Sequence, residues 1–426
     1  MKICFLVDAR SPIARNWIGY FVERDHEVHI ISSYPCSTDD FLPATLHQTP
    51  VAFANFSRAS KNKKLSATIV NDESLSANPP ISESRKPGLA NWQANLTAKL
   101  SLAVQHCLLP FDVERHVSKI ARLFEQLSPD LIHAMRIPFE GILAAKAAPA
   151  QVPLLISVWG NDFTLWASRN PLIAGQTVDA LKRADALHTD CQRDLQMAIR
   201  DWQFASHKPA IILPGAGGIR SDLFYAGEVD ESLQAQLNIC ADAPVVMNPR
   251  GIRGYVRNDV FFEAIPLALE QFPQTIFLGV AMQGNAFAEN YVRKLRLENN
   301  VRLLPTVTSK RLAELFRLSQ IVLSPSLHDG TPNTLLEAMA CGCFPVAGDI
   351  ASVREWIVSG ANGLLCDAND KRSVADALIR ALRDAELRDS ARAKNLQLIG
   401  ERADYNQVMQ QAEDFYKSLI RQHKAK

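Results

Sequence analysis

Short, nearly continuous apolar runs alternate with longer amphipathic runs along most of this chain. In the first half, the strands are predicted at Lys2–Val7, Glu27–Ser32, Leu131–Ala134, Leu154–Trp159, Ala186–Thr189 and Ile211–Leu213. Strands of parallel sheets are buried on both faces and therefore appear as apolar runs. Between two of them, Val113–Leu127 has its apolar residues at the spacing of a helix with one buried face. The alternation predicts an α/β fold with helices on both sides of a parallel sheet.

The same pattern begins again near Pro244. The second set of strands is predicted at Val245–Asn248, Thr275–Val280, Val301–Leu304, Ile321–Ser324, Phe344–Ala347 and Gly363–Cys366. We therefore expect two doubly wound domains, at residues 1–213 and 244–400, which suits a length of 426 residues. Residues 214–243 are predicted to be a hinge because they open with the glycines of PGAGG. A last helix at 404–422 is expected to pack back on the first domain.

Composition excludes several classes of protein. The net charge of +1 gives no general reason to expect a nucleic-acid partner. No stretch reaches the roughly 18 apolar residues of a membrane span, and the apolar run Ile3–Val7 is shorter than a secretory signal requires. The eight cysteines are scattered without a CxxC pair, as in a cytoplasmic protein with reduced thiols. We expect a cytoplasmic location, with at most peripheral contact at the inner face of the membrane. Residues 55–100 are rich in Ser, Asn, Lys and Pro, which predicts a loop or partly disordered insertion.

The segment Ile321–Gly348 contains a strand, a polar loop, a helix start and a second strand. Thr331 is predicted as the N-cap of this helix and Pro332 as its first residue. Ligands of open α/β sheets bind at the carboxyl ends of strands, and the free amides of a helix N-terminus favour anions. The main chain here can hold a diphosphate, and Glu337 can accept hydrogen bonds from two ribose hydroxyls. From these physical arguments alone, an ordinary crossover with surface acids is equally compatible.

The same segment resembles the donor-site signature of retaining glycosyltransferases with the GT-B fold, in glycosyltransferase family four. The matching positions are Ser326, Asp329, Gly330, Pro332, Glu337, Ala338, Met339, Ala340, Gly342, Pro345 and Val346. Asp329 stands where the family usually has Glu, which keeps the charge and shortens the reach. The resemblance implies that Glu337 binds the donor ribose and that Asp329, a catalytic residue, contacts the transferred sugar. It also implies that the diphosphate is covered by the main chain of Gly330, Thr331, Pro332, Asn333 and Thr334.

The sequence NPRGIRGYVRND, which follows the first strand of the second half, is similar to the G-R…K-G segment of the family. Arg250 matches the arginine, and the resemblance makes it a catalytic cation at the diphosphate. The lysine has no single counterpart because two residues are inserted. Arg253 and Arg257 both compete for the role, and we favour Arg257 because it precedes the helix predicted at Asp259–Leu269. Guanidinium groups suit phosphates because they are permanently charged and can bind through two hydrogen bonds.

The segment SVWGNDF resembles an H-G-x-D motif of the family, with Trp159 in place of the histidine. Because tryptophan cannot accept a proton, a general base at that position is not expected. Asp162 is predicted to orient the acceptor as a catalytic residue, with Gly160 and Asn161 beside it. The alternative is an aspartate that caps the next helix.

Three further charged residues are candidates for binding. Arg10 and Arg15 lie in the loop after the first strand and are expected to face a phosphorylated or acidic acceptor; solvated arginines are the alternative. Glu355 matches the acid of a family G-G-x-x-E segment whose glycines are absent here, and we include it among the donor-binding residues.

The resemblance implies a hexosyltransferase-type enzyme. It would move a sugar from a nucleotide-diphosphate sugar to a hydroxyl of a glycan, a lipid-linked compound or a small molecule, with retention of anomeric configuration. It implies that neither a metal nor another cofactor is needed. A nucleotide-sugar epimerase or a non-catalytic nucleotide-sugar-binding protein of the same fold is the alternative. A dinucleotide-dependent oxidoreductase is excluded because VDARSPIARN lacks the glycines of G-x-G-x-x-G.

Overall fold

The computed structural model describes residues 1–36, 44–50 and 113–425, which divide into two compact units. The first unit comprises the described residues up to 217 together with 407–425, and the second comprises residues 218–406. The insertion predicted at 55–100 lies outside the described residues. Within the described part, none of the helices is both long and apolar enough to cross a membrane.

The first unit is built on a parallel sheet in the order β3-β2-β1-β4-β5-β6-β7. Its strands are β1 (Lys2–Val7), β2 (Glu27–Ser32), β3 (Thr45–Gln48), β4 (Leu131–Met135), β5 (Leu154–Val158), β6 (Ala186–Thr189) and β7 (Ala210–Ile212). The sequence predicted all of these strands except β3. This strand lies at the edge of the sheet, and none of its four side chains is fully buried, so it has no apolar run.

Helices connect these strands. They span Pro12–Val22, 113–127, Ile142–Ala147, Pro171–Arg183, Gln192–Arg200 and, mostly in this unit, Tyr405–Lys424. The helix predicted at 113–127 is confirmed, and its residues Val113, Ile120 and Phe124 are buried in the core. Ser11 caps the first helix by accepting a hydrogen bond from the amide of Ala14.

A buried chain of hydrogen bonds ties the last helix to the sheet of the first unit. Tyr416 accepts from Trp17 Nε1 at 2.9 Å and contacts His133 Nδ1. His133 Nε2 in turn contacts Ser157 Oγ, which lies 2.8 Å from His188 Nδ1. His188 Nε2 lies 2.9 Å from a main-chain carbonyl, so it must donate there. Burial lowers the pKa of both histidines, which favours their neutral forms, and each ring nitrogen has a partner.

The second unit is built on a parallel sheet in the order β10-β9-β8-β11-β12-β13. Its strands are β8 (Val245–Asn248), β9 (Ile276–Gly279), β10 (Val301–Leu303), β11 (Ile321–Ser324), β12 (Phe344–Gly348) and β13 (Leu364–Cys366). Its helices are Glu231–Gln236, Asn258–Leu269, Ala286–Lys294, Ser309–Leu318, Asn333–Ala340, Ala351–Arg354, Lys371–Arg383 and Ala385–Arg402. Successive residues of β8 pack into different cores, Val245 and Met247 in one and Val246 in the other. Helices therefore cover both faces of the sheet.

The hinge predicted at 214–243 is wrong for most of its length, because residues 218–243 are part of the second unit. Their helix Glu231–Gln236 begins after Asp230, whose side chain accepts from two main-chain amides. Leu233 and Leu237 are buried beside Met247 in the core. The glycines of PGAGG suggested a linker, whereas the two leucines after it supply enough apolar surface to fold the segment against the sheet.

In each sheet the order of the strands reverses between the first and fourth strands of its own series. The reversal lies at β1/β4 in the first sheet and at β8/β11 in the second. The carboxyl ends of parallel strands lie at one edge of the sheet, and a reversal of strand order opens a crevice there between the loops. The two reversals are therefore the positions at which each unit is expected to bind a ligand.

Candidate functional site

Two loops meet where β8 and β11 end in the second unit. Loop A (residues 249–257) follows β8, and loop B (residues 325–332) follows β11. Leu327 N donates to Tyr255 O at 2.9 Å, and a short antiparallel bridge joins the same two loops. The loops are thus tied to each other by their main chains.

Gly348 allows loop B to lie on the end of β12. A Cβ atom at this position would lie 2.2 Å from the carbonyl oxygen of Ser326, a distance that no side chain tolerates. The close approach explains a glycine at the last residue of a buried strand, where an apolar side chain is otherwise expected. It also fixes loop B against the sheet at its first residues.

Arg250 of loop A reaches across to loop B and to the helix that follows it. Its Nη2 lies 2.7 Å from Asp329 Oδ2, and its Nη1 donates to Thr334 Oγ1 at 3.1 Å. The residue is 9% exposed, yet its Nε has no hydrogen-bond partner among the described residues. Buried donors are nearly always paired, so an unused donor on a buried cation indicates a place for an anionic ligand.

The helix of this site begins one residue later than the sequence predicted. It spans Asn333–Ala340, and Pro332 occupies the N-cap position, where it makes no side-chain cap. The prediction of Thr331 as N-cap is therefore wrong, because its hydroxyl accepts instead from Trp356 Nε1 at 3.2 Å. The first amides of an α-helix have no partner within the helix, so this uncapped start can donate to a phosphate.

Glu337 lies in the second turn of the same helix and is partly buried. Burial raises the pKa of its carboxyl to about 7, and the nearby charge of Arg250 lowers that pKa only in part. Such a carboxyl changes its charge near neutral pH, and hydrogen bonds donated by ribose hydroxyls would stabilise the charged form.

Two side chains from the next segment hold loop B in place. Ser352 donates to the main-chain oxygen of Asp329 at 2.8 Å, and Trp356 donates to Thr331. Neither contact has a signal in the sequence beyond the family segment that surrounds Glu355. Glu355 itself ends the helix Ala351–Arg354 and accepts from Arg402 through its main-chain oxygen. The predicted donor contact of its side chain remains a prediction.

The other two arginines of loop A have partners of their own. Arg257 forms an ion pair with Asp259 at 2.8 Å and contacts Asn369. Arg253 is exposed and donates to the hydroxyl of Tyr255 at 2.9 Å. Among these three arginines, Arg250 is the one whose guanidinium contacts both loop B and the helix start, and the choice between Arg253 and Arg257 as a second phosphate ligand stays open.

Asp162, in the first unit, is fully buried at the carboxyl ends of β4 and β5. Its carboxylate accepts from Arg136 Nε at 2.9 Å, from Trp159 N at 3.1 Å and from Ile137 N at 3.4 Å. These bonds hold the loops that follow both strands. They are not the helix cap of the alternative, because Asp162 is itself the first residue of the helical turn Asp162–Trp166, whose N-cap is Asn161. A role in orienting the acceptor stays a prediction, as it does for the adjacent Gly160 and Asn161.

Arg10 and Arg15 lie after β1, near the strand reversal of the first sheet. Arg10 forms two hydrogen bonds of 2.9 Å with Asp8, and its guanidinium lies 3.9 Å from the ring centre of Tyr34. Arg15 Nε donates to Ala9 O at 3.0 Å. The charge of Arg10 is therefore already balanced by a carboxylate, and binding of an acidic acceptor would have to compete with that pair.

One group of side chains in the described residues has the spacing of metal ligands: Asp190, Cys191 and Asp194, whose ligand atoms lie within 4.8 Å of one another. Asp194 already pairs with Arg193 at 2.7 Å, which supplies a positive charge in place of a metal. Burial, followed by the charges of the two aspartates, raises the pKa of the Cys191 thiol, whereas a thiolate is the form that binds metals. The donor set is therefore a poor match for a metal ion.

Family models describe two parts of the chain. Residues 230–397 match glycosyl transferases group 1, and residues 105–190 match glycosyl transferase 4-like. Among curated relatives, the chain is 30% identical to N-acetyl-alpha-D-glucosaminyl L-malate synthase of Bacillus anthracis over 31% of this chain and 34% of the relative. It is 24% identical to D-inositol 3-phosphate glycosyltransferase of Corynebacterium urealyticum over 53% and 55%. The chain thus spans about a third to a half of the length of the curated relatives it matches.

Solved structures resemble the chain over nearly its whole length. Sucrose-phosphate synthase from Thermosynechococcus elongatus superposes with a TM-score of 0.72 at 15% identity, covering 99% of each chain. HepE from Anabaena, solved in complex with UDP, superposes with a TM-score of 0.69 at 16% identity, covering 98% of this chain and all of the other. At such identities the likeness establishes the fold, and it confirms the predicted pair of doubly wound α/β domains.

Proposed function

We propose that this chain, which belongs to the glycosyl transferases of group 1 and has the GT-B fold, transfers a sugar from a nucleoside-diphosphate sugar to a hydroxyl acceptor. The observation that carries the proposal is Arg250, a buried cation with an unused donor, placed beside an uncapped helix start at the strand reversal of the second unit. This combination suits a diphosphate, because the helix start favours negative charge and Arg250, although it pairs with Asp329, keeps its Nε available to donate.

The remaining residues of the site suit the other parts of such a donor. Glu337 lies within the electrostatic range of Arg250, so it would bind the ribose next to the diphosphate. Asp329 is held by Arg250 and by the bond from Ser352 to its main chain, and it would contact hydroxyls of the transferred sugar. The roles of these carboxylates follow the family resemblance, and the geometry is compatible with both.

Catalysis would rest on fixed positive charge. As the bond between sugar and phosphate breaks, negative charge grows on the leaving diphosphate and the sugar ring gains positive charge. Arg250 and the first amides of the helix Asn333–Ala340 would stabilise that leaving group without reorganising. For a reaction with retention, the acceptor hydroxyl would attack from the side of the leaving phosphate and pass its proton to a phosphate oxygen. The proposed reaction uses no metal ion, as the family resemblance implies.

The nucleotides bound in similar solved structures suggest which nucleotide sugar to test first as the donor. Solved structures of HepE contain UDP, UDP with glucose, and UDP-glucose, and that of TarM from S. aureus contains UDP. We therefore propose a UDP-sugar as the first donor to examine, with GDP and ADP sugars as the alternatives. The acceptor is a hydroxyl compound, either a glycan, a lipid-linked molecule or a small molecule, and the cytoplasmic location with peripheral membrane contact stays a prediction.

The proposal is tested by thermal shift with UDP, GDP and ADP, with and without EDTA, followed by a transfer assay with the sugar of the nucleotide that binds. Binding to the native state raises the melting temperature, so one nucleotide should do so, and EDTA should not change the shift. Arg250→Ala should strongly reduce both the shift and turnover of the donor, while Arg293→Ala, at an exposed position of the helix Ala286–Lys294 outside loops A and B, serves as the matched control. A full shift in Arg250→Ala would contradict the proposal, and conversion of the nucleotide sugar without an acceptor would favour an epimerase.

A further inference from the structure

Two buried asparagines join the ends of loop A. Asn248 is the last residue of β8, and Asn258 is the first residue of the helix Asn258–Leu269; they are 0% and 3% exposed. Asn248 Nδ2 donates to Asn258 Oδ1 at 3.2 Å, across ten residues of sequence. The loop that carries Arg250 is therefore closed at its base by a bond between two side-chain amides.

The remaining polar atoms of the pair hold the main chain of loop A. Asn248 Oδ1 accepts from the amide of Arg250 at 3.0 Å. Asn258 Nδ2 donates to Gly251 O at 3.1 Å and to Val256 O at 3.3 Å. These partners also fix the orientation of both amides, because Asn258 must present its NH₂ to two carbonyls and its oxygen to Asn248. Both halves of each side-chain amide are thus used within one loop.

These contacts lie next to the functional guanidinium. Gly251 has a φ of +61°, so the chain turns sharply immediately after Arg250, and the carbonyl of this turn is one of the groups that Asn258 holds. The side chain of Arg250, immediately before this turn, contacts Asp329 and Thr334. A loop without regular structure has many alternative backbone conformations, and each bond from the asparagines removes some of them.

We propose that Asn258, together with Asn248, is a positioning residue that fixes the main chain of loop A so that Arg250 meets the diphosphate of the donor. The inference rests on the proposed function, because it assigns Arg250 to that diphosphate. A positioned charge stabilises a ligand or leaving group without first being ordered, whereas the same charge on a loosened loop must be ordered at each binding event.

The chain offers a matched control in Asn300 of the second unit. Its side-chain amide also donates to two main-chain carbonyls, those of Pro273 and Thr275, each at 3.0 Å. These carbonyls lie before β9, outside loops A and B. Asn300→Ala therefore removes the same type of bond as Asn258→Ala without altering the loop that carries Arg250.

The experiment is a double-mutant cycle in which the affinity is measured by calorimetric titration with UDP. GDP or ADP replaces UDP if one of those gives the thermal shift. Asn258→Ala is expected to weaken binding about tenfold, which is the size of the loss of one buried hydrogen bond between neutral groups. In an Arg250→Ala background the same substitution should change the affinity less than twofold, because the group that it positions is gone. Asn300→Ala should lower the melting temperature and leave the affinity unchanged.

The outcomes separate this inference from the proposed function. An unchanged affinity in Arg250→Ala would overturn the diphosphate role of Arg250 and this inference with it. The inference alone would be overturned if Arg250→Ala weakens nucleotide binding as expected but Asn258→Ala lowers the affinity tenfold both in the parent protein and in Arg250→Ala. If Asn258→Ala does not fold, Asn258→Ser replaces it, because serine retains one hydrogen-bond donor for the loop. This variant should give a smaller loss of affinity, again only when Arg250 is present. The same loss of affinity with and without Arg250 would contradict the positioning role.

Discussion

The affinity for a nucleotide sugar should depend on pH through Glu337. Burial raises the pKa of this carboxyl to about 7 in the free protein. Ribose hydroxyls donate hydrogen bonds, so they bind the carboxylate and lower its pKa, and a proton is released when the ligand binds to the protonated form. Raising the pH therefore favours binding, and lowering it through 7 weakens binding.

The size of the effect follows from the ionised fraction of this one group. With a pKa of about 7, roughly one eleventh of the carboxyl is ionised at pH 6 and ten elevenths at pH 8, so affinity should rise about tenfold, or about 1.4 kcal/mol. The ligand for this assay is UDP-glucose, because its diphosphate is esterified at both ends and lacks the phosphate ionisation near pH 6.

Calorimetric titrations at pH 6, 7 and 8 measure this dependence directly. Glu337→Gln provides the control, because it retains an acceptor oxygen and cannot ionise; its affinity should be weaker than that of the parent at pH 8 and nearly constant over the range. A parent profile as flat as that of Glu337→Gln, or an affinity that rises as the pH falls, would refute the reasoning about the ribose.

Three further predictions concern the structure around the site and in the first unit. Gly348→Ala should abolish nucleotide binding because its Cβ would lie 2.2 Å from a main-chain oxygen of loop B, while Gly254→Ala, which has open space around it, should bind normally in the same thermal-shift assay. Burial lowers the pKa of His188 from 6.5 to about 4, so the unfolded chain takes up the proton first and stability should fall by about 3 kcal/mol as the pH drops from about 6.5 to 4. Urea unfolding at several pH values checks this, and stability that rises on acidification across that window would contradict the neutral state of this histidine. Tyr416→Phe should cost about 1–3 kcal/mol of unfolding free energy, because it leaves two buried groups without a partner, whereas Tyr225→Phe at an exposed position should cost almost nothing; equal effects of the two variants would argue against the buried chain of hydrogen bonds.

The sequence predicted the strands well because strands buried on both faces must be apolar. Thus β8 and β11 have the predicted bounds. It missed β3, whose residues are partly exposed at the sheet edge, and it assigned residues 218–243 to a hinge. Both errors arise because burial of a few side chains is decided by the neighbouring elements, which local composition does not describe.

The candidate site was only partly visible in the sequence. Arg250 and Asp329 are 79 residues apart, and the family resemblance of their two segments assigned both to the same donor. Their contact of 2.7 Å is seen only in the structure. Asn258 holds two main-chain carbonyls of loop A, and Ser352 and Trp356 contact residues of loop B. The identities of the neighbouring residues do not reveal any of these contacts. The first residue of the helix Asn333–Ala340 could not be predicted from the sequence either, because it depends on the contacts that hold loop B.

The central claim is that Arg250 and the uncapped helix start hold the diphosphate of the donor. Comparing uridine with UDP isolates that contact, because the two ligands differ only in the diphosphate. We expect the parent protein to bind UDP at least about a hundredfold more tightly than uridine, and Arg250→Ala to reduce that ratio about tenfold or more without changing the affinity for uridine, as loss of a charged hydrogen bond implies. The same ratio of the two affinities in both proteins would contradict the account.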